Sequence, residues 1–414
     1  MIEITPRNLS GEITIVSSKS LSHRYVLAAS LAEGTSVIEN ILDSDDLVAT
    51  KNALISLGAK ISGNKITGSK IHCVNNQIDA FESGSTLRFL IPIAMLQDKS
   101  ITFNGSNQLP YRTLSVYEEL FKDKYEFIRP SDKFLPLTVK GILKNGVYPL
   151  RGDISSQFIT GLLYALPLVE GDSKIELTTH LESVGYIDLT LDVLNKFGIK
   201  INKVNDGYII FGNQKYQSGN YYVEGDFSGA AFFIAAGLIG RKITLKGLNP
   251  KSLQGDKKMI DFVRQMGGKI EELNDGYIVY PSKLKGITID IGQTPDIGPI
   301  LMVLGALAEG ETVITNASRL RIKESDRLEA MVVNLKRLGA KIEYLSDDSV
   351  IIYGNDTFKG NVTVSSYKDH RIAMSMAIAS IKCENNIKID DETVVSKSYP
   401  SFFEEFTKLG GIYK

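Results

Sequence analysis

One phrase recurs along this chain about every seventy residues, and it limits the possible folds more than any other feature. A helix ends on an apolar residue, a glycine follows, and a short strand begins. The copies are Leu57-Gly58-Ala59-Lys60-Ile61, Phe197-Gly198-Ile199-Lys200-Ile201, Met266-Gly267-Gly268-Lys269-Ile270, Leu338-Gly339-Ala340-Lys341-Ile342 and Leu409-Gly410-Gly411-Ile412. The glycines are spaced by 140, 69, 72 and 71 residues. The first interval is two periods, and the missing copy belongs near Tyr125–Ile128, where the phrase is degenerate. Glycine just past a helix adopts the left-handed conformation that stops the helix and turns the chain into a strand.

Two further patterns share this period. The hairpin Asn205-Asp206-Gly207-Tyr208-Ile209 returns verbatim as Asn274-Asp275-Gly276-Tyr277-Ile278, and Asp-Gly is a strong tight-turn signal. An apolar helix followed by a turn and a strand occurs six times, at 27–40, 90–104, 162–177, 232–245, 300–315 and 372–389. The second helix of each repeat is amphipathic. Leu328, Met331, Leu335 and Leu338 lie at i, i+3, i+7 and i+10, which is one buried stripe. Each unit reads βαβαββ, and six units of 69 fill the 414 residues.

Stacked repeats can form a solenoid or close into globules. The run ILMVLGALA at 300–308 has almost no polar face, so it must be buried on all sides. That favours closed globules with helices inside and sheets outside, three repeats in each. The expected architecture is a two-domain inside-out α/β barrel. A middle domain spans 18–224, and a discontinuous domain takes 1–17 and 225–414. The two crossings are expected near Ser17–Lys19 and Val223–Asp226.

Composition excludes several classes. At 43% hydrophobic and 23% charged residues, the chain can bury full cores and is not disordered. A net charge of −1 argues against a globally basic nucleic-acid binder, although not against a local basic cleft. No apolar run approaches the roughly 18–20 residues that span a bilayer. The start MIEITPRNLSGEI lacks the basic-then-apolar pattern of a secretory signal, so a cytoplasmic protein is expected. Two cysteines, Cys73 and Cys383, cannot build a disulfide scaffold, and four scattered histidines form no zinc motif.

Aligning the starts of the six apolar helices brings out the chemistry. They carry Ser18-Lys19-Ser20 with His23-Arg24, Glu82-Ser83-Gly84-Ser85-Thr86 with Arg88, and Ser155-Ser156-Gln157. The other three carry Asp226-Phe227-Ser228-Gly229, Pro295-Asp296 and Lys368-Asp369-His370-Arg371. Serine, threonine and aspartate there can simply cap free N–H groups, and that reading suffices for Ser85, Asp226 and Ser228. Capping does not explain Lys19, Arg24, Arg88 or Arg371, because cations oppose the helix dipole at an N-terminus. An anion held between the N–H groups and the cations resolves the conflict.

The second helices add Arg112 after Leu109-Pro110-Tyr111, and the run Arg321 to Arg327, in which Ser325 or Asp326 is placed to cap. They also add Lys397 ahead of a Ser401/Glu404 pair with capping-box spacing. Each cation alone could be a solvated surface charge. No Walker loop, no GxGxxG opening a βαβ unit and no nucleophile triad occurs. What remains is a polyanion site with two interior carboxylates, Asp296 and Glu324. It suits an enzyme acting on a small phosphorylated, carboxylated substrate.

These motifs carry a family resemblance. The sequence resembles the EPSP synthases, 3-phosphoshikimate 1-carboxyvinyltransferases of the enolpyruvyl transferase family. The resemblance rests on Ser18-Lys19-Ser20 with Arg24, Ser83-Gly84-Ser85-Thr86 with Arg88, and Ser155-Ser156-Gln157. It continues through Tyr186-Ile187-Asp188, Val223-Glu224-Gly225-Asp226, Lys323-Glu324-Ser325-Asp326-Arg327, Asp369-His370-Arg371 and Lys397 to Pro400. These span the whole chain in family order.

The resemblance implies transfer of the enolpyruvyl group of phosphoenolpyruvate to the 5-hydroxyl of shikimate 3-phosphate, with release of phosphate. It implies a tetrahedral intermediate and no metal or organic cofactor. Shikimate 3-phosphate is expected at Lys19, Ser20, Arg24, Ser155, Ser156, Gln157, Ser183, Tyr186, Asp296 and Lys323. Phosphoenolpyruvate is expected at Lys19, Gly84, Arg112, Gln157, Arg327, Arg371 and Lys397. Lys19, Asp296 and Glu324 are the catalytic candidates, Asp296 for the hydroxyl proton and Glu324 with Lys19 for the methylene carbon. The partners are these small molecules, with no nucleic acid or membrane, and a monomer is expected. Glu82 and Arg319 stand where the family commonly has asparagine, so no contact is carried over to either.

Two other readings are open to a chain of this kind. A UDP-N-acetylglucosamine enolpyruvyl transferase shares the fold, but its catalytic cysteine loop should precede Arg112, and residues 105–111 read GSNQLPY. A non-catalytic repeat scaffold would not need Lys19, Asp296, Glu324, Arg371 and Lys397 together.

Overall fold

The structure is a computed structural model and describes all 414 residues, Met1–Lys414. The chain divides into two compact units, Lys19–Val223 and Met1–Ser18 with Glu224–Lys414. Each contains three four-stranded sheets.

All six sheets share one topology. In the Lys19–Val223 unit, Gln77–Asp79 runs parallel to Ile101–Asn104, which pairs antiparallel with Leu137–Lys140, and that strand pairs antiparallel with Glu126–Ile128. The last of these strands occupies the degenerate copy of the glycine phrase. The hairpin order is thus inverted in space, with the fourth strand of the repeat lying inside the third. Val147–Leu150, Ser173–Leu177, Gly207–Ile210 and Ile201–Val204 repeat the pattern, as do Thr288–Asp290, Glu311–Thr315, Ser349–Tyr353 and Lys341–Ser346.

The other three sheets correct the simple reading of six consecutive repeats. The parallel partner of Gly34–Glu39 is Asn220–Tyr222, from the far end of the unit. The parallel partner of Ile243–Lys246 is Gly11–Thr14, and the strand between Ile387–Ile389 and Ile412–Tyr413 is Ile2–Thr5. Without these exchanges a sheet would present an unpaired strand edge or lack its inner strand. Borrowing strands closes each unit on itself.

The first helices of the repeats lie inside because the sequence leaves them almost no polar face. All thirteen residues of Phe227–Ile239 and all eight of Gly298–Gly305 are buried. In Arg327–Arg337 and the residue after it, Leu328, Met331, Leu335 and Leu338 are fully buried, as their spacing requires. Each large apolar side chain removed from water contributes about 1.5–3 kcal/mol. Close helix packing also needs small residues. A Cβ on Gly161 would lie 2.4 Å from the Tyr117 hydroxyl and 2.6 Å from the Arg88 carbonyl. Tyr117 uses the same gap, its one hydroxyl proton shared between the carbonyls of Arg88 and Phe158, 2.9 and 2.8 Å away. This contact seats helix Gly84–Ala94 against helix Ser156–Ala165.

The repeated glycines do what their position predicts. Gly58, Gly198, Gly267, Gly339 and Gly410 have φ of +104°, +83°, +89°, +95° and +97°. Capping differs in detail from the sequence reading. Ser83, rather than Ser85, caps helix Gly84–Ala94, accepting from Thr86 N at 3.1 Å. Asp326 caps Arg327–Arg337, accepting from Glu329 N at 3.0 Å. Ser401 makes no side-chain cap, so the Ser401/Glu404 box does not form. Its backbone is already near helical (φ −85°, ψ 12°), which turns the hydroxyl away from the N–H groups it would cap.

Candidate active site

Each unit gathers one share of the expected site residues at the N-termini of its helices. In the Lys19–Val223 unit, Lys19 opens helix Lys19–Leu31 and its ammonium lies 3.0 Å from the Asp46 carboxylate. Five residues on, Arg24 is buried. Its Nε donates to Thr190 Oγ1 at 2.9 Å, Nη1 to the Ser20 carbonyl at 2.8 Å and Nη2 to the Tyr186 carbonyl at 2.9 Å. The guanidinium lies 5.4 Å from the Phe89 ring centroid and 5.9 Å from that of Tyr186. Burial lowers its pKa, but an arginine stays charged. Arg24 therefore ties Ser20 and Tyr186 together, with much of its fork spent on the protein. Ser183, before helix Val184–Lys196, is held left-handed at φ +56°, a conformation uncommon for a residue with a side chain.

Gly84 begins the next helix. Its missing side chain leaves room that two guanidinium groups approach. A Cβ there would meet Arg88 Nη1 at 2.9 Å and Arg112 Nη1 at 3.0 Å. Arg88 also donates to Gln157 Oε1 at 2.7 Å, and Gln157 Nε2 donates to Ser85 Oγ at 2.9 Å, so the amide has one orientation. Ser155 caps the helix that carries Ser156 and Gln157. Gly84, Ser85, Arg88, Arg112 and Gln157 thus gather in one place, Lys19 pairs with Asp46, and Ser20, Arg24, Tyr186 and Thr190 form a further cluster. Cations beside helix N-termini suit oxyanions.

The other unit holds a charge cluster. Asp296 sits in a short 3-10 turn ahead of Gly298–Gly305. Its Oδ1 lies 3.1 Å from Lys323 Nζ and 2.9 Å from Arg327 Nη1, and its Oδ2 lies 3.2 Å from Arg371 Nη2. Burial works against the charge of Asp296, but Arg371, Lys323 and Arg327 outweigh it and hold its pKa well below the usual carboxylate range. Arg327 is also 2.6 Å from Glu324 and 2.7 Å from Asp369. For Lys323, burial outweighs the attraction of Asp296, with Arg319 and Arg327 adding repulsion, and its pKa is lowered to about 8. Lys397 Nζ donates to the Lys368 carbonyl at 2.8 Å. Tyr367 and Lys368 are both left-handed, at φ +51° and +55°, so a strained turn presents that carbonyl.

Within its own unit, each expected residue therefore lies in one of these clusters or at a helix start, except Lys397, which reaches the Lys368 carbonyl. Several structural members carried no assignment in the sequence reading. Asp369 caps helix His370–Ala379 through Arg371 N at 2.9 Å while binding Arg327. Its position before His370-Arg371 was the available signal. Asp46 and Asp256 gave none, since each lies at the start of an ordinary second helix. Asp256 is buried, accepts from Ser228 Oγ, and has its pKa raised by burial and by Asp296 to about 6.

Two α/β units of three repeats each, with cations and carboxylates gathered near helix N-termini, define a repeat-built enzyme for small, multiply anionic substrates. The chain belongs to the EPSP synthase (3-phosphoshikimate 1-carboxyvinyltransferase) family, whose model matches residues 4–406. Among curated relatives, the 3-phosphoshikimate 1-carboxyvinyltransferase of Clostridium novyi (strain NT) is 49% identical, over 99% of this chain and 98% of that protein. The enzyme of the same name from Clostridium beijerinckii is 48% identical, over 100% and 98%. A solved structure of EPSP synthase from Acinetobacter baumannii superposes with a TM-score of 0.84 at 26% identity, covering 100% of this chain and 99% of that one. The enolpyruvyl transferase NikO from Streptomyces tendae shares the fold, with a TM-score of 0.80 at 15% identity and coverage of 100% and 98%. The chain is an enzyme, and no helix in it is long and apolar enough to cross a membrane.

Proposed function

We infer that this chain transfers the enolpyruvyl group of phosphoenolpyruvate to the 5-hydroxyl of shikimate 3-phosphate, releasing phosphate. Membership of the family supports the reaction. The observation that carries the assignment of roles is the clamp of Lys323, Arg327 and Arg371 on Asp296, beside Glu324.

In this reading, Lys19, Ser20, Arg24, Ser155, Ser156, Gln157, Ser183, Tyr186, Asp296 and Lys323 serve shikimate 3-phosphate. Lys19, Gly84, Arg112, Gln157, Arg327, Arg371 and Lys397 serve phosphoenolpyruvate. Planar guanidinium groups suit its carboxylate and phosphate, which accept pairs of parallel hydrogen bonds. The 5-hydroxyl oxygen attacks the enol carbon while the methylene carbon gains a proton. The tetrahedral intermediate then expels phosphate as the methyl group loses a proton, which restores the double bond.

Asp296 enters as a carboxylate. Held ionised by three cations, it is a weak base, so it orients the hydroxyl and takes its proton only as the new C–O bond forms. Glu324, with Lys19, is assigned to the methylene carbon. Groups of this kind contribute about 10²–10⁴-fold each. All these residues come from one chain, so a monomer suffices. Both substrates are multiply charged and do not cross bilayers unaided, which suits the cytoplasm.

Phosphate release from phosphoenolpyruvate tests the reading. It should require shikimate 3-phosphate, and UDP-N-acetylglucosamine should not replace it. A folded chain that releases no phosphate with shikimate 3-phosphate would reject the proposed reaction.

A further inference from the structure

In the Lys19–Val223 unit, a chain of buried polar side chains crosses three helices behind Lys19. His23, on helix Lys19–Leu31, has Nδ1 2.8 Å from Thr50 Oγ1. Thr50, on helix Asp45–Ser56, lies 2.6 Å from Thr86 Oγ1. Thr86, on helix Gly84–Ala94, donates to Ser83 Oγ at 2.7 Å. His23, Thr50, Thr86 and Ser83 are each at most 3% exposed. Thr50 donates to Thr86 when Thr86 donates to Ser83, and the two threonine oxygens also lie 3.2 and 3.4 Å from the Asp46 carbonyl, an alternative acceptor for either proton.

Apolar side chains would hold three helices together at less cost. A buried hydrogen bond adds only about 1 kcal/mol net, and an unsatisfied polar atom costs about 1–3 kcal/mol. This network contains such an atom, because His23 Nε2 is buried with no hydrogen-bond partner. Stability does not account for the network, but its surroundings suggest a role. Its two middle members, Thr50 and Thr86, lie against the Asp46 carbonyl, and the Asp46 carboxylate holds the Lys19 ammonium. Its end fixes Ser83, whose hydroxyl caps the helix that starts at Gly84.

We propose that the His23–Thr50–Thr86–Ser83 chain is a positioning device that sets the Lys19–Asp46 pair in register with the Gly84 helix N-terminus. None of the four is among the residues assigned to a substrate. Burial, with Lys19 and Arg24 adding to it, keeps the His23 pKa well below that of an ordinary histidine, so the ring is the neutral partner that such a chain needs. A shift of about 1 Å between Lys19 and Gly84 would cost roughly a hundredfold in rate. The proposal rests on the assignment of Lys19 and Gly84 to phosphoenolpyruvate.

The test compares Thr50→Val, which removes the hydroxyl at constant shape, with Thr50→Ser, which keeps it. Thr50→Val should lower kcat/KM for phosphoenolpyruvate by about ten- to a hundredfold, and Thr50→Ser should restore it to within about threefold. Adding Thr86→Val to Thr50→Val should cause little further loss, because the two act through one chain. Thr35→Val is the control. It breaks an exposed hydroxyl pair with Thr67 in the same unit and should change nothing. In the ligand-free protein, the ¹⁵N shifts of the His23 imidazole should move in Thr50→Val and stay put in Thr35→Val.

Unmoved imidazole shifts would overturn the proposal, as would equal losses in Thr50→Val and Thr50→Ser, or losses from Thr50 and Thr86 that multiply. If the unaltered chain releases no phosphate, the proposed reaction falls, and the imidazole shifts still judge the network.

Discussion

Arg327 and Asp369 form an ion pair that water does not reach. Arg327 Nε donates to Asp369 Oδ2 at 2.7 Å, and the two side chains are 1% and 0% exposed. Burial opposes the charge on Arg327, yet Asp369, Glu324 and Asp296 together raise its pKa above that of an ordinary arginine. The same Asp369 carboxylate caps the helix that carries Arg371. One buried group therefore orients both guanidinium groups that clamp Asp296.

Asp369→Ala should therefore destabilise the chain as well as impair it. Removing one partner of a buried pair costs about 3–5 kcal/mol, and losing a helix cap about 1 kcal/mol more. Glu324 and Asp296 still face Arg327, so the loss should fall near 3 kcal/mol. Asp369→Asn keeps an oxygen for the cap and should lose less. Urea unfolding measures both. Equal, small losses in the two variants would contradict the dual role.

The carboxylate roles predict a second pattern. Glu324→Gln and Asp296→Ala should lower kcat by about 10²–10⁴-fold while each substrate KM changes only a few-fold. Asp296→Ala also frees three cations from their common partner, so phosphate ions should bind it more tightly than they bind the unaltered chain. Steady-state kinetics and calorimetric titration with inorganic phosphate check the two statements. Intact turnover with weakened substrate affinity would reassign both residues to binding.

Much of this molecule was legible before its structure. The five C′ glycines and the two Asp-Gly hairpins report purely local geometry. Gly207 and Gly276, 69 residues apart, meet the same obstacle, a strand carbonyl at Ile175 and at Leu245. The cations at Lys19, Arg88 and Arg371 stood out because they contradict the dipole of the helix they begin. The strand exchanges were hidden, because Gly11–Thr14 and Asn220–Tyr222 are four- and three-residue strands whose partners lie far away in sequence. Arg24 shows the same limit, since its partner Thr190 is 166 residues distant. Local patterns identify residues that break a local rule. They do not show which distant residue resolves the conflict.

Gly84→Ala should alter donor binding without unfolding the chain. Gly84 starts a helix, where alanine is favoured over glycine by about 1 kcal/mol. Its added Cβ would meet only the ends of the Arg88 and Arg112 side chains, at 2.9 and 3.0 Å, and those can move aside. The melting temperature should hold or rise, and KM for phosphoenolpyruvate should increase severalfold or more, with KM for shikimate 3-phosphate nearly unchanged. A lower melting temperature, or an unchanged KM for phosphoenolpyruvate, would show that the space at Gly84 serves something else.

Lys323 should set the alkaline limit of substrate binding. Its pKa falls from 10.5 to about 8, because burial outweighs the opposing pull of Asp296. The folded chain therefore holds fewer protons than the unfolded chain between about pH 8 and 10.5. The burden of burying this ammonium is fully present below pH 8 and is relieved as pH rises through that window. Binding runs the opposite way. A phosphorylated ligand favours the charged ammonium, so affinity for shikimate 3-phosphate should fall above pH 8, by roughly tenfold per unit at the steepest, and binding should take up a proton. Lys323→Arg stays charged throughout and should flatten the profile, whatever affinity it loses from altered geometry. Calorimetry at pH 7, 8 and 9, in buffers of different ionisation enthalpy, measures affinity and proton uptake together. A flat profile in the unaltered chain, or one that Lys323→Arg leaves sloping, would move the titration to another group.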